Sequence, residues 1–95
     1  MNQKFLKALM LLDHGSLDRG EATLREVITQ AEQENDKVSL IQGLVCLGDV
    51  LFTLDRAPEG LPFLERALSE GQDDDLDDVC DSELARAKEL IGSTS

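Results

Sequence analysis

The chain has 95 residues, enough for one small domain with a modest core. Its formal net charge of −11 argues against a nucleic-acid or anionic-membrane surface, because both would repel it. Three phenylalanines are its only aromatic residues, and no apolar run approaches the roughly 20 residues that span a bilayer. No signal peptide is visible. These features predict a cytoplasmic protein that binds neither nucleic acid nor membrane.

Helix-period spacing of apolar residues predicts a first helix over residues 2–14, which Gly15 can end in a left-handed conformation. Ser16 or Asp18 can cap a second helix over residues 17–34. A polar stretch then separates it from a third helix over residues 37–54.

Asp55 suits the N-cap of a fourth helix, which has Pro58 and Pro62 in its opening turn and ends at Gly71. The apolar spacing predicts a fifth helix over residues 75–91. No strand alternation competes with the helical period, so the predicted fold class is all-α.

The sequence repeats with a shift of 40 residues. This shift aligns Ala8 with Gly48, Gly20 with Gly60 and Leu24 with Leu64. A second shift aligns the fifth helix with the third, so the fifth helix is a further copy of the first. Small residues at one height of two helices allow their backbones to approach closely. The repeat therefore predicts antiparallel helical hairpins that stack on one another.

The pattern of Leu44, Leu47, Gly48 and Leu51, followed by Gly60, Leu64, Ala67 and Leu68, resembles the tetratricopeptide repeat. The 40-residue period matches a long variant of the common 34-residue repeat. The resemblance implies one domain over residues 1–95, a short α-α superhelix that mediates protein–protein interaction. Its parts are a first repeat over residues 1–36, a second over residues 37–72 and a capping helix over residues 75–92.

The resemblance also implies that the first helix of each repeat lines a concave groove. The positions carried over are Asn2, Phe5, Leu9, Leu12, Asp13, Gln42, Val45, Asp49, Phe52, Thr53, Ala85 and Glu89. An apolar floor dotted with acids suits an amphipathic or extended segment that carries apolar anchors and Lys or Arg. Two alternatives are that the small bundle closes over these residues or that a second copy covers them.

Residues 70–83 hold eight acids and no base. This segment suggests another function, that of a small acidic inhibitor, immunity-type protein or chaperone that neutralises a basic partner. The simpler interpretation is that the acids favour a helix N-terminus and solubility. The spacing of Asp73, Asp75 and Asp77 fits the start of a calcium loop, but Asp78 and Leu84 stand where Gly and Glu are needed.

No residue pattern predicts catalysis. Cys46 and Cys80 lie far apart in apolar surroundings, which is typical of buried, reduced thiols. His14 follows Asp13 at a helix end, where a histidine interacts favourably with the helix dipole. We therefore expect no enzymatic activity, no cofactor and no metal site.

Overall fold

Five helices form in the computed structural model, which describes residues 3–73 and 80–93. They are α1 (Gln3–Asp13), α2 (Leu17–Glu34), α3 (Lys37–Thr53), α4 (Ala57–Asp73) and α5 (Asp81–Gly92). These two ranges contain no strand, which confirms the all-α class. In the same ranges, no helix has the length and apolar character needed to cross a membrane. Asn2 and residues 74–79 of the acidic segment lie outside the described residues.

Each helix packs against the next one along the chain, and α3 packs against α5 as well. Two ion pairs also connect α2 with the second hairpin: Arg56, just before α4, has its Nη1 2.9 Å from Glu21 Oε1, and Arg66 of α4 pairs with Glu32. Since the residue numbers of the two pairs rise together, α2 and α4 run parallel as the second helices of neighbouring hairpins. The resulting slab measures 34 × 33 × 18 Å.

Three turns between helices share one geometry and recur every 20 residues. Their central residues are left-handed, with φ of 82° at Gly15, 56° at Asn35 and 63° at Asp55. In the first turn the N–H of Ser16 donates to the carbonyl of Leu11 at 2.8 Å, and the equivalent bonds of the other two measure 2.9 and 2.8 Å. This Schellman geometry satisfies carbonyls at a helix end and reverses the chain.

The left-handed turn predicted at Gly15 is confirmed, whereas the N-cap predicted at Asp55 is wrong. Asp55 ends α3, and α4 begins at Ala57. The reason is that Asp and Asn tolerate the left-handed region better than most residues. Ser16 precedes α2 as expected, but its side chain makes no capping hydrogen bond.

The predicted end of the fourth helix also differs from the structure. The helix α4 continues past Gly71 to Asp73, because Gly71 lies against α5 instead of ending a helix. A Cβ at Gly71 would come within 2.8 Å of Leu84 Cδ1. The helix α5 begins at Asp81, with carboxylates in its first turn where the helix dipole favours them, and the predicted start at residue 75 lies outside the described residues.

We expect Gly15→Ala to lower the free energy of unfolding by about 1 kcal/mol, because an L-residue is strained at positive φ. A Cβ at Gly15 meets no atom within 4 Å, so the cost is conformational and not steric. Urea denaturation measures it. Gly92→Ala is the matched control, since that Cβ also meets no atom within 4 Å and Gly92 has no positive φ. Equal effects of the two substitutions would contradict this explanation.

The two helices of the second hairpin touch where the repeat placed its glycines. A Cβ at Gly60 would lie 2.9 Å from the carbonyl oxygen of Gly48 and 3.2 Å from Leu51 Cβ. A Cβ at Gly48 would lie 2.5 Å from Leu64 Cδ2. The close contact predicted from the 40-residue repeat is therefore confirmed for α3 and α4.

The helix α3 occupies the centre of the slab and α1 its periphery. Ten of the 17 residues of α3 are buried, because α2, α4 and α5 all pack against it. In α1 only Ala8 is buried, although the helix carries six large apolar side chains. Three of these side chains, those of Leu6, Leu9 and Met10, therefore remain exposed outside the core.

The start of α3 is fixed by Asp36, whose carboxylate accepts from the Ser39 hydroxyl at 2.7 Å and from the Ser39 N–H at 3.1 Å. These bonds lower the pKa of Asp36 below its ordinary value of 3.8. A carboxyl group whose pKa falls on folding stabilises the fold above its unfolded pKa. That stabilisation is lost as the pH falls through the folded pKa.

We expect Asp36→Ala to lower the free energy of unfolding by about 1 kcal/mol near neutral pH, because the N-cap is lost. The difference between the two proteins should shrink as the pH falls from 3.8 through the lower pKa of the folded state, where the folded wild-type carboxylate becomes protonated. Urea denaturation across this pH range measures it. Asp18→Ala removes an exposed first-turn carboxylate of α2 and serves as control. A difference independent of pH would contradict the assignment.

Candidate functional site

A cavity of about 300 Å³ opens between α1 and α3. It is lined by Leu9, Leu12, Asp13, Leu17, Cys46, Asp49, Val50 and Thr53. Five residues of the predicted groove therefore meet here: Leu9, Leu12, Asp13, Asp49 and Thr53. Sequence reasoning missed Leu17, Cys46 and Val50, which complete the apolar wall. The cavity is the part of the predicted groove that the structure assembles.

Next to this cavity, α1 exposes a set of apolar side chains that we call the α1 face: Leu6, Leu9 and Met10. Their exposed fractions are 41%, 36% and 61%. The spacing of three and four residues places them on one side of the helix. Leu9 belongs to both the α1 face and the cavity, so the two form one apolar surface. Leu6 and Met10 were not predicted as site residues.

Three apolar residues of the predicted groove lie elsewhere. Val45 is only 5% exposed and belongs to the core. Phe52 is half-buried and faces α4, since its Cδ1 would lie 3.0 Å from a Cβ at Gly60. Phe5 is half-buried and packs against the core. The floor of the groove is therefore narrower than the one that the repeat pattern implied.

Gln42 does not line the cavity that Leu9 borders. It lines a larger open space of about 760 Å³ with polar residues of α1, α2 and α3, among them Gln30 and Glu34. The Nε2 atom of Gln30 donates to Glu34 Oε2 at 3.1 Å. Ala85 is exposed on α5.

The acids of the groove are not equivalent. Arg86 of α5 holds two of them, with Nη2 3.2 Å from Asp49 Oδ1 and Nη1 3.1 Å from Glu89 Oε1. Thr53 Oγ1 donates to the carbonyl of Asp49 at 3.0 Å and adds no charge. Asp13 is exposed, and its carboxylate forms no hydrogen bond or ion pair with another of the described residues. Asp49 and Glu89 share one arginine, whereas the Asp13 carboxylate has no paired cation among the described residues.

Both thiols are held in the neutral form. Burial, and to a lesser extent Asp49, raises the pKa of Cys46 to about 11. Burial also raises the pKa of Cys80, which is 1% exposed. Within the described ranges, no three His, Cys, Asp or Glu side chains are grouped so that they could hold a metal ion. At neutral pH, Cys46 therefore presents an apolar, protonated sulfur to the cavity.

Comparison with models of protein families, with curated proteins and with solved structures finds no match to this chain.

Proposed function

We propose that this protein is a non-catalytic interaction module that binds an amphipathic segment of a partner protein. The segment lies along the α1 face and inserts an apolar side chain into the cavity between α1 and α3. The observation that carries the proposal is the exposure of Leu6, Leu9 and Met10 beside a concave apolar wall. Burial of such a continuous surface against a partner is the main source of affinity in helix-in-groove recognition.

The resemblance to tetratricopeptide repeats supports the same role. In that family the first helix of each repeat contributes to a binding groove, and the cavity lies between the two helices that the 40-residue repeat aligns, α1 and α3. The net charge of −11 favours a segment that carries Lys or Arg. The cavity, of about 300 Å³, leaves room for an aliphatic anchor from the partner.

Binding of designed peptides tests this proposal. Three peptides of about 14 residues, or four helical turns, are compared. The Leu/Lys peptide has leucines on one helical face and lysines elsewhere. The Leu/Gln peptide has glutamines in place of those lysines, and the Gln/Lys peptide has glutamines in place of those leucines. We expect both leucine peptides to bind in calorimetry and the Gln/Lys peptide to bind at least about tenfold more weakly, since only the leucines bury apolar area.

Salt and oligomeric state distinguish the alternatives. Apolar docking should persist from about 0.05 M to about 0.5 M NaCl, whereas neutralisation of a basic surface should weaken steeply. If the Leu/Lys and Gln/Lys peptides bind equally and both lose affinity in salt, the protein acts as an acidic mask and the proposal is wrong. If light scattering shows a stable dimer and no peptide binds, a second copy occupies the α1 face.

A further inference from the structure

The carboxylate of Asp13 stands at an unusual place in α1. It lies in the last turn of the helix, and that turn contains no basic residue. The free carbonyls of a helix C-terminus carry partial negative charge, so an acid there is unfavourable and a cation is favourable. Asp49 and Glu89 share Arg86, but no side chain of the described residues compensates Asp13.

Asp13 also borders the apolar cavity. Leu9, Leu12 and Asp13 form its α1 side, and Cys46 and Val50 contribute from α3. Its volume of about 300 Å³ lies at the lower end of the range for small-molecule pockets. It therefore suits a single aliphatic side chain better than a whole ligand. A group that anchors there places its neighbours beside the carboxylate of Asp13 and the end of α1.

We propose that this site selects a partner segment in which an aliphatic side chain has a lysine or arginine within one helical turn. The aliphatic group fills the cavity, and the cation pairs with Asp13 at the C-terminus of α1. This inference rests on the proposed function and adds its specificity: Asp13 is the residue that makes the groove prefer basic amphipathic segments to neutral ones.

The Leu/Lys and Leu/Gln peptides measure this preference in calorimetry. We expect Asp13→Asn to reduce the preference for the Leu/Lys peptide by about three- to fivefold, the effect of one exposed ion pair. Affinity for the Leu/Gln peptide should be unchanged. Glu65→Gln is the matched control, since it removes one exposed carboxylate from α4, away from the cavity. It should change the preference by less than about twofold.

Alkylation of Cys46 locates the bound peptide. Cys46 lines the cavity and Cys80 is 1% exposed, so mass spectrometry of the alkylated wild-type protein reports both thiols, with Cys80 as internal reference. We expect either leucine peptide to slow the alkylation of Cys46 by maleimide at least about threefold, in proportion to its bound fraction. The Gln/Lys peptide should leave the rate unchanged.

Stability gives a second readout for Asp13. Because the carboxylate opposes the dipole of α1, Asp13→Asn should make the free protein slightly more resistant to urea while it weakens binding of the Leu/Lys peptide. Equal effects of Asp13→Asn and Glu65→Gln on the preference would overturn this inference but leave the proposed function intact. If neither leucine peptide slows alkylation of Cys46, the proposed function itself is wrong.

Discussion

Gly60→Ala is expected to lower the free energy of unfolding by about 2 kcal/mol, a fall of roughly 8–16 °C in Tm for a domain of this size. The added Cβ would lie 2.9 Å from the carbonyl oxygen of Gly48 and 3.2 Å from Leu51 Cβ. Neither of these two atoms can move away by rotation of a side chain. The steric destabilisation should therefore lie at the upper end of the range for overpacking, about 1–3 kcal/mol. Alanine regains at most about 1 kcal/mol in helix propensity.

Urea denaturation followed by circular dichroism measures this loss. Gly92→Ala provides the control for propensity, because its Cβ meets no atom within 4 Å. A Gly60→Ala protein as stable as the wild type would mean that α3 and α4 can separate without cost. The close contact would then not hold the hairpin together.

Gly48→Ala should behave differently, although Gly48 belongs to the same contact. Its Cβ would meet Leu64 Cδ2 at 2.5 Å, whereas the nearest backbone atom, the Gly60 carbonyl oxygen, is 3.4 Å away. Leu64→Ala alone should cost about 2–5 kcal/mol. In the variant that combines Gly48→Ala with Leu64→Ala, we expect the loss of stability to be about 1 kcal/mol smaller than the sum of the two single losses. The reason is that the shortened side chain at position 64 makes room for the new methyl group. Additive effects of the two substitutions would contradict this.

The contact glycines could be predicted because close packing leaves a strong signal in the sequence. Few residue types fit where two helix backbones touch, so the repeat of Gly20 and Gly60 identified the contact before the structure did. Asp55 was harder, since aspartate is common both at an N-cap and in the left-handed region. Asp55 lies 40 residues after Gly15 and 20 after Asn35, and this spacing indicates that it ends a helix in the left-handed conformation as they do.

The candidate site was predicted only in part, for a physical reason in each case. The repeat pattern assigns Val45 and Phe52 to the groove, but α3 is enclosed by three helices and both side chains are used in packing. Leu6 and Met10 were missed because the repeat pattern gives no measure of how much of α1 stays uncovered. Their exposure follows from the peripheral position of α1, which packs mainly on α2.

Leu9→Glu is expected to weaken binding of the Leu/Lys peptide by about thirtyfold, the loss of one hot-spot residue. Leu9 is the residue shared by the α1 face and the cavity, so a carboxylate there disrupts both apolar surfaces. The loss should occur even though the new charge attracts lysine. At 36% exposure, Leu9 lies outside the core, and the variant should fold like the wild type.

Calorimetry with the Leu/Lys and Leu/Gln peptides measures the effect, with Ala22→Glu as the matched control. Ala22 is exposed on α2 and borders none of the cavities described above, so this variant adds the same charge away from the site. Leu9→Glu should weaken both leucine peptides, whereas Ala22→Glu should weaken neither. If the two variants bind the Leu/Lys peptide equally well, charge and not apolar contact drives the association, and the groove between α1 and α3 is not the binding site.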